Sequence, residues 1–167
     1  MPESAPGRAE EPGRPAVLDE LAAAPNRLVL SAPADPEVME LVHSLLEHLF
    51  AHAPQIDDAT RMKFEMSVIE ILGNIVEHAY AHDSALPAVE PSEARRFQIQ
   101  VLATERDVVA TLSDNGMPVS LDLGDLSMPD ELAESGRGLA LAASALDTLW
   151  FERIEGRNHW CLACRLG

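Results

Sequence analysis

The stretch EILGNIVEHAY, residues 70–80, spaces an acid, an amide and an imidazole four residues apart: Glu70, Asn74 and His78. Ile71, Leu72, Ile75 and Val76 lie between them. On an α-helix, residues four apart stack along one slightly drifting stripe. The segment therefore reads as a helix that borders an apolar core with one polar row. Asp57 or Asp58 offers its N-cap, and it is expected to run to about His82. Its apolar stripe reads as Met62, Met66, Ile69, Gly73, Val76 and Tyr80. A polar row on a helix edge is ordinarily just solvated, so its meaning depends on what the rest of the chain brings to it.

The flanking segments supply the layers such a helix needs. NRLVLSA, residues 26–32, is a short strand that stops at Pro33. Asp35 then offers an N-cap and Pro36 a first helical position. Val38, Leu41, Val42, Leu45, Leu46 and Leu49 follow at helical spacing. The same helix carries His43, His48 and His52, an array without a carboxylate at ligand spacing, expected to face solvent rather than a metal. Beyond the turn-rich DSALPAVEPSEA, RRFQIQVLA alternates Phe97, Ile99 and Val101 against polar neighbours. DVVATLS resumes the pattern past a turn at Glu105–Arg106.

Residues 114–136 hold no periodic element, and a loop that long inside a compact domain is usually functional. SGRGLALAASALDTL is expected to be a helix beginning at its glycine pair. TLWFERI and HWCLACRL close the chain as a hairpin through EGRN, where Gly156 at the first central position favours a type II′ turn. Leu149 and Phe151 should share a face with Trp160, Leu162 and Cys164. The order β-α-α-β-β-loop-α-β-β contains no βαβ repeat. It predicts an α+β two-layer sandwich, with helices on one face of a mixed, mainly antiparallel sheet. Residues 1–25, rich in Pro, Ala, Glu and Gly, are expected to be a disordered extension, and 26–167 the folded domain.

A formal net charge of −16, with Lys63 the only lysine, argues against nucleic acid and anionic membranes as partners. Any phosphate ligand must be neutralised by something other than a basic patch. No apolar run approaches the roughly 18 residues of a membrane span. The opening MPESAPGRAEEPGRP lacks the basic and apolar regions of a secretory signal, so a cytoplasmic protein is expected. Cys161 and Cys164 lie three apart in an apparent strand and so point to opposite faces, which suits neither a redox pair nor a metal clip.

Three polar spots remain: the Glu70/Asn74/His78 row, SDNGMP from Ser113 to Pro118, and ESGRGL from Glu134 to Leu139. Each alone is a weak signal, but together they suit one ligand. Backbone N–H groups at a glycine-rich helix start cradle anions. An Asn oxygen suits Mg²⁺, which takes a few protein oxygens plus phosphates and water. A carboxylate one turn earlier can accept a proton from an attacking hydroxyl. Asp114 at a strand end can accept a hydrogen bond from an exocyclic amine, and Gly116 lets a ring approach the backbone. Phosphates, metal, base and an amino-bearing ring describe Mg·ATP.

EILGNIVEHAY, DNGMP and GRGL, in that order and spacing, resemble the N box and the first and second glycine boxes of the GHKL (Bergerat-fold) ATPases. Within that superfamily the chain is most similar to single-domain serine kinases that act as bacterial anti-sigma factors, over about residues 26–167. The resemblance implies that Asn74 coordinates Mg²⁺ and that Glu70 is the general base or orienting group for an acceptor serine. It implies that Asp114 binds the adenine amine beside Gly116 and Pro118. Gly136, Arg137, Gly138 and Leu139 would line the triphosphate, and His78 would pack or hydrogen-bond at the pocket edge. The implied partners are a sigma factor and a STAS-type antagonist phosphorylated on serine, with the kinase a homodimer. Pro118 stands where many relatives have glycine, and the lid MPVSLDLGDLSMPDELAE has no Lys or Arg for the γ-phosphate. A nucleotide-dependent binding module without phosphoryl transfer is therefore the alternative. The catalytic part of a histidine kinase fits less well, because residues 1–69 hold no long heptad helix pair with an acceptor His.

Overall fold

The computed structural model describes residues 13–83, 95–118 and 134–167, without the side chains of 78–83 and 134–136. Helix α1 (Val17–Ala23) leads into strand β1 (Leu28–Pro33), then helices α2 (Val38–Ala51) and α3 (Asp58–Asp83). Strands β2 (Arg96–Ala103) and β3 (Asp107–Asp114) precede helix α4 (Glu134–Ala145), and β4 (Thr148–Ile154) and β5 (Arg157–Arg165) complete the sheet. Its order is β1-β2-β3-β5-β4. All four pairings are antiparallel. The expected α+β sandwich is what forms, with no parallel pair among the described residues where a mixed sheet was anticipated.

Two hairpins make up most of the sheet. In the first, Thr104 Oγ1 accepts from the N–H groups of Arg106 and Asp107, closing the tight turn between β2 and β3. In the second, Ile154 pairs with Arg157, so the loop is Glu155-Gly156. Both residues have positive φ, 51° and 77°. That is the signature of a type I′ turn, not the expected II′, because Gly156 occupies the second central position. Leu149 pairs with Leu162 and Phe151 with Trp160, the anticipated shared face.

The helices α2, α3 and α4 cover one face of the sheet. Strand alternation sends Phe97, Ile99, Val101, Val108, Ala110, Leu112, Trp160 and Leu162 into the core beneath them. Asp57 caps α3 by accepting from Thr60 N at 2.8 Å and Thr60 Oγ1 at 3.1 Å, and the Thr60 backbone bond foremost holds its pKa below the ordinary value. At the start of α2, Asp35 Oδ1 accepts from Glu37 N at 2.9 Å, one turn ahead of the regular helix.

Two apolar faces differ from expectation. The buried apolar residues of α3 are Phe64, Val68, Ile71, Leu72, Ile75 and Val76; of the expected stripe, Val76 is buried and Ile69 packs on the core, whereas Met62 and Met66 are 64% and 63% exposed. Both rows satisfy helical spacing; the β-branched and aromatic row is the one that fills the rigid core, and the methionines face outward. On α2, Val38, Val42, Leu46, Leu49 and Phe50 are buried and Leu41 is exposed. Tyr80, included in the expected stripe, lies outside the described side chains.

Within the segment expected to be a disordered extension, residues 17–23 form α1, which covers the opposite face of the sheet. Leu21 packs there on Leu102, Val109, Cys161 and Ala163, flanked by Val17, Leu18 and Trp150. Arg27 ties the segment down by donating to Ala24 O at 2.7 Å and Gln100 Oε1 at 3.1 Å. The sheet thus carries helices on both faces rather than one. Cys161 joins this outer cluster and Cys164 the inner one, as their spacing required. Burial pushes their thiols up to about 12 and about 11 respectively.

Candidate functional site

Asp114 is the last residue of β3 and is only 5% exposed. It shares the parity of Leu112 and Ala110 along the strand, so its carboxylate lies on the face that the main helices cover. Two donors converge on one of its oxygens. Gly116 N gives a bond to Oδ1 at 2.8 Å and Asn158 Nδ2 gives another at 3.0 Å. Oδ2 accepts no hydrogen bond within the described residues. A Cβ built on Gly116 would stand 2.6 Å from Oδ1, so only glycine leaves the turn this close to the carboxylate. Pro118 follows on the exposed side of the same segment.

The polar row of α3 sits on the flank that faces α4. Glu70 and Asn74 are both half-buried, and the Asn74 amide has no side-chain partner among the described residues. A Cβ built on Gly138 would overlap the Glu70 carboxylate, so α4 approaches this acid as closely as a backbone can. The N-box acid and the second glycine box therefore meet directly. His78 lies on α3, but its side chain falls outside the described residues.

Helix α4, described from Glu134 onward, carries the glycine pair at which the helix was expected to begin. Gly136, Arg137 and Gly138 all lie on this helix. Gly138 is the point of contact with Glu70. Arg137 is exposed and Leu139 is buried in the main core.

Sequence reading missed Asn158 and Arg153. Asn158, 1% exposed on β5, pairs with Asp114 across the sheet. It also donates to Met117 O at 2.9 Å. Arg153 Nη1, from β4, donates to Asn158 Oδ1 at 2.8 Å and to Gly116 O at 3.1 Å. Only the β3–β5 register reveals the first link. The neighbouring His159 belongs to the opposite face by alternation, and desolvation, followed by Arg157, lowers its pKa.

Among the described residues no group of three or more His, Cys, Asp or Glu converges. His43 instead pairs with Glu65 of α3 at 2.7 Å, and His52 Nδ1 bonds His48 O at 2.8 Å. No helix among the described residues is long and apolar enough to cross a membrane.

A helix-covered antiparallel sheet, with Glu70 against Gly138 of α4 and a strand-end Asp114 held by the Gly116 turn, points to one class of domain. The profile of the histidine kinase-like ATPase domain matches residues 32–163, and the chain belongs to that family. Among solved structures, the catalytic domain of the histidine kinase ThkA, in a nucleotide-free form, aligns at 15% identity. That alignment covers 83% of this chain and 96% of the other, with a TM-score of 0.47. Comparison with curated proteins gives no match.

Proposed function

We propose that the chain is an Mg·ATP-dependent protein-serine kinase of the anti-sigma-factor type. The observation that carries this reading is the Glu70 carboxylate lying against Gly138, which supports a proton-accepting role for this acid beside the glycine-bearing segment of α4. Two features support a nucleotide with its metal: Asp114 Oδ2 and the Asn74 amide, neither of which has a hydrogen-bond partner among the described residues. Bound ATP would supply the activated γ-phosphoryl group, with Mg²⁺ offsetting its charge.

The protein's own residues divide the remaining work. Asp114 accepts the purine amine, and Asn74 offers a neutral oxygen to the cation. Arg137 and the backbone at Gly136 and Gly138 meet the phosphate charge in a chain with a single lysine. Glu70 orients the acceptor serine and takes its proton as the oxygen attacks. Pro118 bounds the ring side, and Leu139 supports α4 from the core. The proposed partners are a STAS-type antagonist, phosphorylated on serine, and a sigma factor held by a homodimer of the kinase. The location proposed is the cytoplasm.

The test is transfer of labelled phosphate from ATP, with Mg²⁺, to serine of a STAS-type partner shown to bind. Glu70→Ala should abolish labelling by about 100-fold or more while keeping nucleotide affinity. A wild-type chain that binds nucleotide and partner without labelling, and a Glu70→Ala variant that signals normally, would establish the binding-module alternative instead.

A further inference from the structure

We propose that Asn158 and Arg153 are positioning residues that hold Oδ1 of Asp114, leave Oδ2 as the acceptor that no described residue engages, and thereby set a preference for a 6-amino over a 6-oxo purine. This rests on the reading that Asp114 receives the purine amine.

The hydrogen-bond inventory fixes every orientation in the group. Arginine only donates, so the atom of Asn158 that faces Arg153 Nη1 must be its carbonyl oxygen. A backbone carbonyl only accepts, so the atom that faces Met117 O must be the amide nitrogen. The second proton of that nitrogen then points at Asp114 Oδ1. Asn158 thus cannot turn over without setting its oxygen against a carboxylate and a carbonyl. Arg153 reinforces the same choice from the outside and staples Gly116 O to the strand pair. Gly116 N completes the hold on Oδ1.

Two donors on one oxygen stop the carboxylate from swinging and from offering a mixed face. What remains toward the ligand is an acceptor without a neighbouring donor. A purine amine at position 6 meets it with a proton. A 6-oxo group meets it oxygen to oxygen, and a site built around such a bond rejects the analogue strongly. The exposed Arg153 contributes from outside the pocket, so its effect travels through Asn158 and the Gly116 turn.

Calorimetry of the full chain with Mg·ATP and Mg·ITP tests this, since the two nucleotides differ at position 6. The wild type should favour ATP by about 100-fold or more. Arg153→Met, with an unchanged melting temperature, should weaken ATP about tenfold, leave ITP nearly unaltered, and so shrink the preference. Arg153→Lys, which keeps a donor, should recover most of it. Asn158→Ser should reduce the preference further. Equal losses for both nucleotides, or an undiminished preference in Arg153→Met, overturn the inference while the adenine-site reading stands. A wild type that takes up neither nucleotide overturns that reading and this inference together.

Discussion

Gly116 and Gly138 look alike in sequence, yet alanine should act differently at the two. At Gly138 the added methyl meets the far end of Glu70, a side chain free to swing away. The helix gains about 1 kcal/mol from Gly→Ala, which offsets the displacement. Gly138→Ala should therefore melt within a few degrees of wild type but lose phosphoryl transfer at least about tenfold, because the proton acceptor has moved. At Gly116 the methyl meets an oxygen already pinned by two donors in a buried setting. Gly116→Ala should cost roughly 1–3 kcal/mol of stability and weaken ATP binding, read by denaturant melts and calorimetry. Asp114 and both glycines were legible beforehand because turn and helix-entry chemistry is local. Asn158 was not, since its partner lies 44 residues away and the link depends on strand register.

Helix α3 tests how far periodicity alone can go. Two rows on it satisfy the same spacing; Ile69 and Val76 of the expected stripe do meet the core, while Met62 and Met66 were misplaced because Met tolerates either environment. Ile71→Ala should cost about 2–5 kcal/mol, whereas Met66→Ala should fall within about 0.5 kcal/mol of wild type. The polar row was read correctly as bordering the core, since Glu70 and Asn74 flank either stripe. At the β4–β5 turn, Glu155 holds a positive φ that suits Asn or Gly better. Glu155→Asn should raise stability by about 0.5–1 kcal/mol in urea titrations. Turn type was misread there because the loop begins one residue earlier than the sequence motif suggested.

Layering of the entire molecule was legible except for α1, which composition hid among prolines, alanines and glutamates. Leu21→Ala should cost about 2 kcal/mol or more and open Cys161, but not Cys164, to thiol reagents. The thiols also predict an alkaline limit. Both pKa values rise from 9.0 on folding, so the native state binds more protons than the unfolded chain above pH 9. Their contribution is complete below pH 9 and is lost as pH climbs through about 11 and 12. Urea midpoints should fall across that window, and a Cys161→Ala, Cys164→Ala double variant should flatten the decline.

The Asp114–Asn158 pairing joins the β2–β3 hairpin to the β4–β5 hairpin, each of which closes through its own short turn. Long-range strand docking forms late because the chain entropy of the intervening loop must be overcome first. The ligand pocket is consequently among the last parts of the chain to come into being during refolding. On the proposed reading, a nucleotide bound there bridges the two hairpins. It should slow unfolding in proportion to occupancy while leaving the refolding rate almost untouched.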